Sequence, residues 1–258
     1  MTVGCIVQAR MGSSRLPGKV MMDVKEGKPV LYFVINQLQH CKLVDKIIVA
    51  TTNLKEDDKI VEFCNKLDVP CYRGSSENVL DRYYQCGKMH SISTIVRIPA
   101  DKPLIDPEIV DNIIKIFKSN TYDYVTTFLP PTFPNGTEVE VFSFEALEDS
   151  WKNAELPSEK EHVTPYIYNH KDRFKIFNVI NFEDLSEYRW VVDRIEDLNL
   201  VRQITSKIKK RPVLTNDIIE LFKKEPQLVK INKNVQREEG DLKSLKEDEE
   251  YLKSKNRF

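Results

Sequence analysis

No apolar run in this 258-residue sequence approaches the roughly 18 residues that a membrane-spanning helix requires. At the N-terminus, Gln8 and Arg10 interrupt the hydrophobic stretch too early for a secretory signal, so the expectation is a cytoplasmic protein. Charge of one sign is also lacking. Lys and Arg number 39 against 40 Asp and Glu, a net charge of −1, which disfavours nucleic-acid binding through a general basic surface and leaves the electrostatics to be read locally. The five cysteines, at positions 5, 41, 64, 71 and 86, include no CxxC pair, and no histidine stands at zinc-like spacing, which argues against disulfides and structural metal. Cys5 and Cys64 sit inside hydrophobic periodic segments and read as small buried apolar residues. No internal repeat is evident. What is present is 41% hydrophobic residues, enough for one ordinary core or two small ones.

The first half alternates short β-branched runs with longer helix-period segments, the pattern of a parallel sheet flanked by helices. Strands are expected at Gly4–Val7, Ile47–Ala50, Val69–Tyr72 and Thr94–Ile98. Between them, helical faces are carried by Val30, Leu31, Val34 and Leu38 after Pro29, by Ile60, Cys64 and Leu67, and by Val79, Leu80, Tyr83 and Tyr84. A helix after Pro107 and a strand at Tyr124–Phe128 continue the alternation, making a Rossmann-like α/β sheet with crossover connections the leading fold. The turn-rich stretch Pro130–Gly136 then breaks the pattern, and residues 130–180, with a strand at Val139–Ser143, read as an excursion from the sheet. Phe174–Ile180 and Arg189–Val192 read as returning strands, and Glu196–Lys207 and Thr215–Lys224 as helices. Residues 1–235 therefore form the domain, and 236–258 a charged C-terminal segment with little apolar periodicity, either a solvated helix or, from Arg237 through Arg257, a partner-binding tail.

The densest chemical signal is Gln8-Ala9-Arg10-Met11-Gly12-Ser13-Ser14-Arg15-Leu16-Pro17-Gly18-Lys19, directly after the first strand. A cationic, glycine-containing loop at a strand's carboxyl end suits a polyphosphate: glycine lets backbone amides approach the oxygens, Arg supplies a planar fork of donors, and Lys a compact charge. It is neither a P-loop, because five residues separate Gly12 from Gly18 and Val20 replaces the metal-binding hydroxyl, nor a GxGxxG fingerprint. Its bland alternative is a solvated loop whose arginines pair with nearby acids.

Two further signals are acids at strand ends. Asp101, in Arg97-Ile98-Pro99-Ala100-Asp101-Lys102-Pro103-Leu104-Ile105-Asp106-Pro107, reads equally as a turn former and as a ligand for Mg²⁺ beside a triphosphate, whereas Asp106 reads as the cap of the next helix. Asp193, in Trp190-Val191-Val192-Asp193-Arg194, could share one cation with Asp101 if their strands are neighbours, or simply cap a helix whose first turn holds Glu196 and Asp197.

These segments, V-Q-A-R-M-G-S-S-R-L-P-G-K, A-D-K-P-L-I-D-P, N-G-T-E-V-E-V-F-S, E-K-E-H-V-T-P-Y-I-Y and R-W-V-V-D-R-I-E-D-L, with I-N-K-N-V-Q-R-E-E-G-D-L-K-S-L near the end, resemble the SpsF-like cytidylyltransferases of spore-coat polysaccharide biosynthesis. That family is related to the CMP-sialic acid and CMP-Kdo synthetases, and the likeness spans almost the whole chain. It implies a nucleotide-diphospho-sugar transferase fold with a mixed, mostly parallel sheet. The resemblance implies CTP held by Gln8, Ala9, Gly12, Ser13 and Ser14, with Arg10, Arg15 and Lys19 acting on the phosphates. It also implies that Asp101 and Asp193 bind Mg²⁺, and that Arg73, Ser75, Asn78, Asp81 and Arg82 lie near cytosine and ribose, although those last five also read as an ordinary helix start. Ala100 stands where many relatives have Gly, and Gly136-Thr137-Glu138 where Gly-Leu-Asp is expected. Glu138, Glu140, Glu161 and His162 thereby become candidates for an altered acceptor pocket.

The implied reaction is transfer of CMP from CTP to an acidic sugar such as a nonulosonic acid, with release of pyrophosphate, in surface-glycan synthesis by a homodimer whose contacts lie in the 130–180 excursion. No nucleic-acid or membrane partner is expected. Two other readings remain open at this stage. A glycosyltransferase shares the general fold but commonly carries Asp-x-Asp, which Ala100-Asp101-Lys102-Pro103 is not; a nucleotide-sensing scaffold would bind CTP without turnover.

Overall fold

The computed structural model describes residues 1–119, 121–235 and 239–255, the last segment up to residue 242 as backbone only. Its centre is a seven-stranded sheet that begins with β1 (Val3–Gln8), a strand whose first five residues are all buried. A small hairpin of β2 (Asp23–Lys25) and β3 (Lys28–Pro29), which the sequence reading does not anticipate, leads into α1 (Val30–Leu38). Then follow β4 (Lys46–Thr52), α2 (Asp58–Lys66), β5 (Cys71–Gly74), α3 (Val79–Met89), β6 (Thr94–Pro99) and α4 (Pro107–Ser119). β1 pairs in parallel with β4 on one side and β6 on the other, and β4 pairs in parallel with β5. The chain thus winds outward from β1 to β5, then crosses back to begin again at β6. The carboxyl ends of β1 and β6 flank the crevice this reversal creates, the place where open α/β sheets bind ligands.

The second half completes the sheet with β7 (Tyr124–Thr126), β8 (Glu140–Ser143) and β9 (Ile176–Asn178), giving the order β5-β4-β1-β6-β8-β7-β9. β8 is antiparallel to both β6 and β7, so the sheet is mixed and mostly parallel, as expected. The stretch expected to leave the sheet after Pro130 therefore returns β8 to it, and β9 lies within the returning strand expected at Phe174–Ile180. Its true excursions are α5 (Phe144–Asn153), α6 (Pro157–His162) and α7 (Pro165–Asn169), none of them read from the sequence.

One apolar layer packs α1, α2 and α4 on the sheet through residues such as Leu31, Val34, Ile60, Cys64, Val110 and Ile113. The opposite layer packs α3, α5 and α7 through Leu80, Tyr83, Leu147 and Ile167. A third cluster joins α8 (Ile195–Lys207) and α9 (Thr215–Lys224) around Trp190 and Phe222. All five cysteines are free, with Cys5 and Cys64 fully buried. Among the described residues, no helix is long and apolar enough to cross a membrane.

One expectation needs correction and another sharpening. Arg189–Val192 is not a strand: it is extended but makes only an isolated bridge, Asn135 to Arg189. Trp190 and Val192 are buried in the third cluster, which produces strand-like alternation without a ladder. The C-terminal segment forms a helix, largely exposed as the solvated-helix reading expects, but one side of it is packed on the domain. Although Gln236, Arg237 and Arg257 lie outside the described residues, α10 (Glu239–Lys255) packs on α6, where Asp248 Oδ1 accepts from Ser158 N–H at 2.9 Å.

Candidate active site

A cavity of about 990 Å³ opens over the carboxyl ends of β1 and β6, and the loop after β1 forms one wall of it. That loop is shaped by its own backbone: the carbonyl of Met11 accepts from both Ser13 N–H and Gly18 N–H at 2.8 Å. Gly18 adopts φ +72°, a left-handed turn available to glycine without strain, and the next residue is Lys19. Fully buried Asp57 ties the loop down by accepting from Met11 N–H at 2.7 Å.

Lys19 is the hub of the site. Its ammonium, on a residue only 8% exposed, lies 2.6 Å from Asp101 Oδ2 and 2.8 Å from Asp193 Oδ1. The two aspartates, distant in sequence, are joined through the backbone, because Val192 N–H donates to the Asp101 carbonyl at 2.8 Å. Asp193 also accepts from Arg15 at 2.7 Å and from Arg189 at 3.0 Å. Arg189 in turn grips fully buried Asp197 at 3.0 and 3.1 Å, and Asp197 caps α8 by accepting from Asp193 N–H and Arg194 N–H at 3.0 Å. Asp197 therefore aligns Arg189 as well as favouring the helix start. Burial alone would raise the Asp193 pKa, but Lys19 and Arg15 hold this carboxyl well below the usual range. Burial likewise acts to lower the Lys19 pKa, and the attraction of Asp101 and Asp193 overrides it, raising the value and keeping the ammonium charged.

Among the described residues one atom in this cluster is unsatisfied: Asp101 Oδ1 is buried and without a hydrogen-bond partner. A buried carboxylate oxygen is costly to leave unpaired. The donor set fits Mg²⁺, which takes one or two carboxylates and completes its shell with phosphate and water oxygens. It does not resemble a cage made by protein alone, and among the described residues no group of three or more His, Cys, Asp or Glu could hold a metal ion.

The opposite wall is built by α6, α10 and the turn before β8. Arg10 pairs with Glu161 at 2.7 Å, and His162 Nε2 lies 2.7 Å from Ser244 Oγ of α10. Glu138 pairs with Lys102 at 3.0 Å and also accepts from Gly136 N–H. At Gly136, φ is +111°, and an added Cβ would lie 2.6 Å from the backbone nitrogen of Val191, so no larger residue fits. Thr137, where Leu is expected, is buried with its hydroxyl donating to the Pro134 carbonyl at 2.8 Å.

Of the candidates from sequence, Gln8, Arg10, Ser13, Ser14, Arg15 and Lys19 line the cavity, as do Asp101, Asp193, Glu138, Glu161 and His162. The others do not line it. Ala9 is buried in the sheet, and Gly12 faces Glu56. Arg73 pairs with Asp58 at 2.6 Å and donates to the carbonyls of Thr52 and Leu54. Ser75 and Asn78 order the start of α3, where Asn78 Oδ1 accepts from Asp81 N–H; Asp81 accepts from Trp151 Nε1, and buried Arg82 donates to the Ser75 carbonyl. Their neighbours Ser76 and Glu77 reach the cavity instead. Glu140 lies beneath the floor, buried and bonded to Arg97, Tyr124 and Thr164.

Sequence reasoning did not single out Arg97, Lys102 or Arg189, nor Lys243, Ser244, Glu247 and Tyr251 of α10, all of which line the cavity. For Arg189 a signal existed, since it precedes Asp193 by four residues and Asp197 by eight. For α10 the resemblance of residues 231–245 to the family was a pointer to Lys243 and Ser244, but its charged composition looks the same whether it faces solvent or a site.

A family model described as cytidylyltransferase matches residues 4–242. The spore coat polysaccharide biosynthesis protein SpsF of Bacillus subtilis is 30% identical over 234 residues, covering 86% of this chain and 94% of that one. A solved cytidylyltransferase from Leptospira borgpetersenii superposes with a TM-score of 0.86 at 34% identity, covering 92% of this chain and 98% of the other. The fold alone extends to CMP:2-keto-3-deoxy-manno-octonic acid synthetase in complex with CTP, with a TM-score of 0.61 at 16% identity over 80% of this chain and 99% of that one. On its sequence, its sheet order and its cavity, the chain belongs to the cytidylyltransferase family.

Proposed function

We propose that the protein transfers CMP from CTP to an acidic sugar or related small acceptor, in the synthesis of a surface glycan, and releases pyrophosphate. The observation that carries this reading is the convergence of Asp101 and Asp193 with Arg15, Lys19 and Arg189 at the carboxyl ends of β1 and β6. The loop from Arg10 to Lys19 holds the triphosphate, with Ser13 and Ser14 as neutral donors and Arg15 and Lys19 as cations. The oxygen of an acceptor hydroxyl attacks the α-phosphorus and releases its proton to solvent as the bond from that phosphorus to the β-bridging oxygen breaks, and the pyrophosphate leaves with the electron pair. Arg15 and Lys19 offset the charge that grows on it, so catalysis is positioning and electrostatics, with no covalent enzyme intermediate. Mg²⁺, held by Asp101 and Asp193, would supply further electrostatic stabilisation of the phosphate charge. The acceptor lies toward Glu138, Glu161 and His162, on the wall completed by α10.

Incubation with CTP, Mg²⁺ and a panel of sugar acids tests the reading: pyrophosphate and a CMP-linked product should appear together, in equal amounts. Release of a nucleoside diphosphate from a nucleotide-sugar donor would favour a glycosyltransferase, and CTP binding without turnover across the panel a sensor. Homodimerisation through the 130–180 region is part of the same proposal. Ile180 and Phe182 are exposed beside β9 at the edge of the sheet, and light scattering on wild type and Phe182→Ser should show a dimer and its weakening.

A further inference from the structure

The charge cluster at the metal-binding aspartates is already balanced by protein alone. Arg15, Lys19 and Arg189 supply the positive charges, and Asp101, Asp193 and Asp197 the negative ones. Nearly every carboxylate oxygen is in use. Asp193 Oδ1 meets Lys19 and Arg15, Asp193 Oδ2 meets Arg189, both oxygens of Asp197 are bonded, and Asp101 Oδ2 meets Lys19. The exception, Asp101 Oδ1, is sealed from solvent. A divalent cation shared by Asp101 and Asp193 must therefore take oxygens that the Lys19 ammonium now occupies, and an ammonium and a divalent ion within contact of the same oxygens repel each other.

We infer that Lys19 is a resident counter-ion that closes the metal site until a triphosphate draws its ammonium away, so that CTP and the divalent cation bind together and not independently. This rests on the magnesium and CTP reading above. Three features favour an exchange over a fixed salt bridge. Lysine carries a compact charge on a flexible four-carbon stem, which can swing from carboxylate to phosphate without moving the backbone. Asp193 stays held by Arg15 and Arg189 when Lys19 leaves, and its backbone is fixed by Asp197, so the vacated carboxylate keeps its position. Among the described residues Asp101 has no second side-chain partner, so the departure of Lys19 would leave it unpaired unless a cation arrives. The exchange is thus favourable only when anion and metal enter together. By linkage, CTP raises metal affinity by the factor by which metal raises CTP affinity.

The test counts Mn²⁺, as a stand-in for Mg²⁺, bound per chain of the full-length protein by equilibrium dialysis and electron paramagnetic resonance, with no acceptor present. Wild type should bind Mn²⁺ about tenfold or more tightly with CTP than alone, and cytidine, which lacks phosphates, should leave the affinity unchanged. Without nucleotide, Lys19→Met should bind Mn²⁺ about tenfold more tightly than wild type, and adding Asp101→Asn should abolish that gain. If wild type binds Mn²⁺ equally well with and without CTP, or a folded Lys19→Met gains nothing, the counter-ion role is overturned while the metal site stands. If wild type with CTP retains no Mn²⁺ that Asp101→Asn removes, the metal reading itself fails. Should Lys19→Met not fold, Lys19→Gln, a neutral polar side chain in the same place, is measured instead and a failure to gain Mn²⁺ affinity without nucleotide overturns the counter-ion role, because the CTP phosphates ligate the metal themselves and wild type alone does not separate that from the departure of Lys19.

Discussion

Two ionic clusters lie along β6, and they differ in one respect. Within the sheet, Arg97 and Glu140 face each other across the β6 and β8 ladder. Glu140 is 4% exposed, and both its oxygens are used: one takes Arg97, the other takes the hydroxyls of Tyr124 and Thr164 at 2.8 and 2.5 Å. Just past the end of the same strand, Asp101 satisfies one oxygen with Lys19 and leaves the other buried and unpaired. A buried carboxylate with both oxygens partnered is held in one arrangement, whereas one with an oxygen left over can take a further partner; Arg97, across the first pair, itself keeps a buried Nε without a partner among the described residues. Of the two, only Asp101 lines the cavity, and the role proposed for it there rests on that placement, whereas Glu140 lies beneath, although the sequence offered both as site residues.

The largest effect should come from removing the fully partnered carboxylate. Glu140→Ala leaves Arg97 buried without its carboxylate and should cost about 3–5 kcal/mol of folding stability, read as a lower urea midpoint at unchanged slope. A loss below about 1 kcal/mol would mean the pair is not a framework element. The same cluster sets a pH dependence. Burial would raise the Glu140 pKa, but Arg97 and the two hydroxyls pull it below its ordinary 4.5. The folded state therefore binds fewer protons than the unfolded one, and stability is fully present above 4.5 and lost as pH falls through the lower folded value. Following the urea midpoint downward from neutral pH should show that loss, and Glu140→Gln should remove this contribution to the slope.

Asp101→Asn should give the opposite signature. It keeps the shape and one hydrogen-bonding oxygen, so stability should change by no more than about 1 kcal/mol. Turnover with Mg²⁺ should fall by about 100-fold or more, because the charge that draws the cation is gone. Near-normal rates, or a loss of stability as large as that of Glu140→Ala, would erase the distinction between the clusters.

The same contrast explains what could be read from the sequence. The parallel half of the sheet was legible because β1, β4 and β6 are short, largely apolar runs separated by helices with clear apolar faces, such as Ile60 and Cys64 on α2, whereas β5, half-buried and carrying Arg73, falls two residues later than the strand expected at Val69–Tyr72. The cationic loop and both strand-end aspartates were legible because their residue types are unusual at those places. The Arg189–Val192 segment misled because burial of Trp190 and Val192 copies strand alternation without any ladder. Which acid belongs to which cluster could not be read, since Glu138 and Glu140 look alike in sequence, yet one lines the cavity with Lys102 and the other points beneath it toward Arg97. Partnering of that kind is set by β8 register against β6, which no local pattern reports.

The smallest effect tests whether the turn before β8 truly couples the two walls of the cavity. Gly136 lies against the backbone of Trp190 and Val191, two residues before Asp193, and its N–H donates to Glu138 on the opposite wall. A methyl group there would meet Val191 N at 2.6 Å in a backbone conformation that disfavours any side chain. Gly136→Ala must then shift either the turn or the Asp193 segment, at a cost of about 1–3 kcal/mol. If the segment shifts, CTP affinity measured with Mg²⁺ should fall along with stability; if only the turn shifts, CTP affinity should hold while the acceptor KM rises through Glu138. Unchanged stability, CTP affinity and acceptor KM together would show that the two walls are mechanically independent and that Asp193 is held in place by Arg189, Asp197 and the Val192 hydrogen bond to Asp101 without help from the turn.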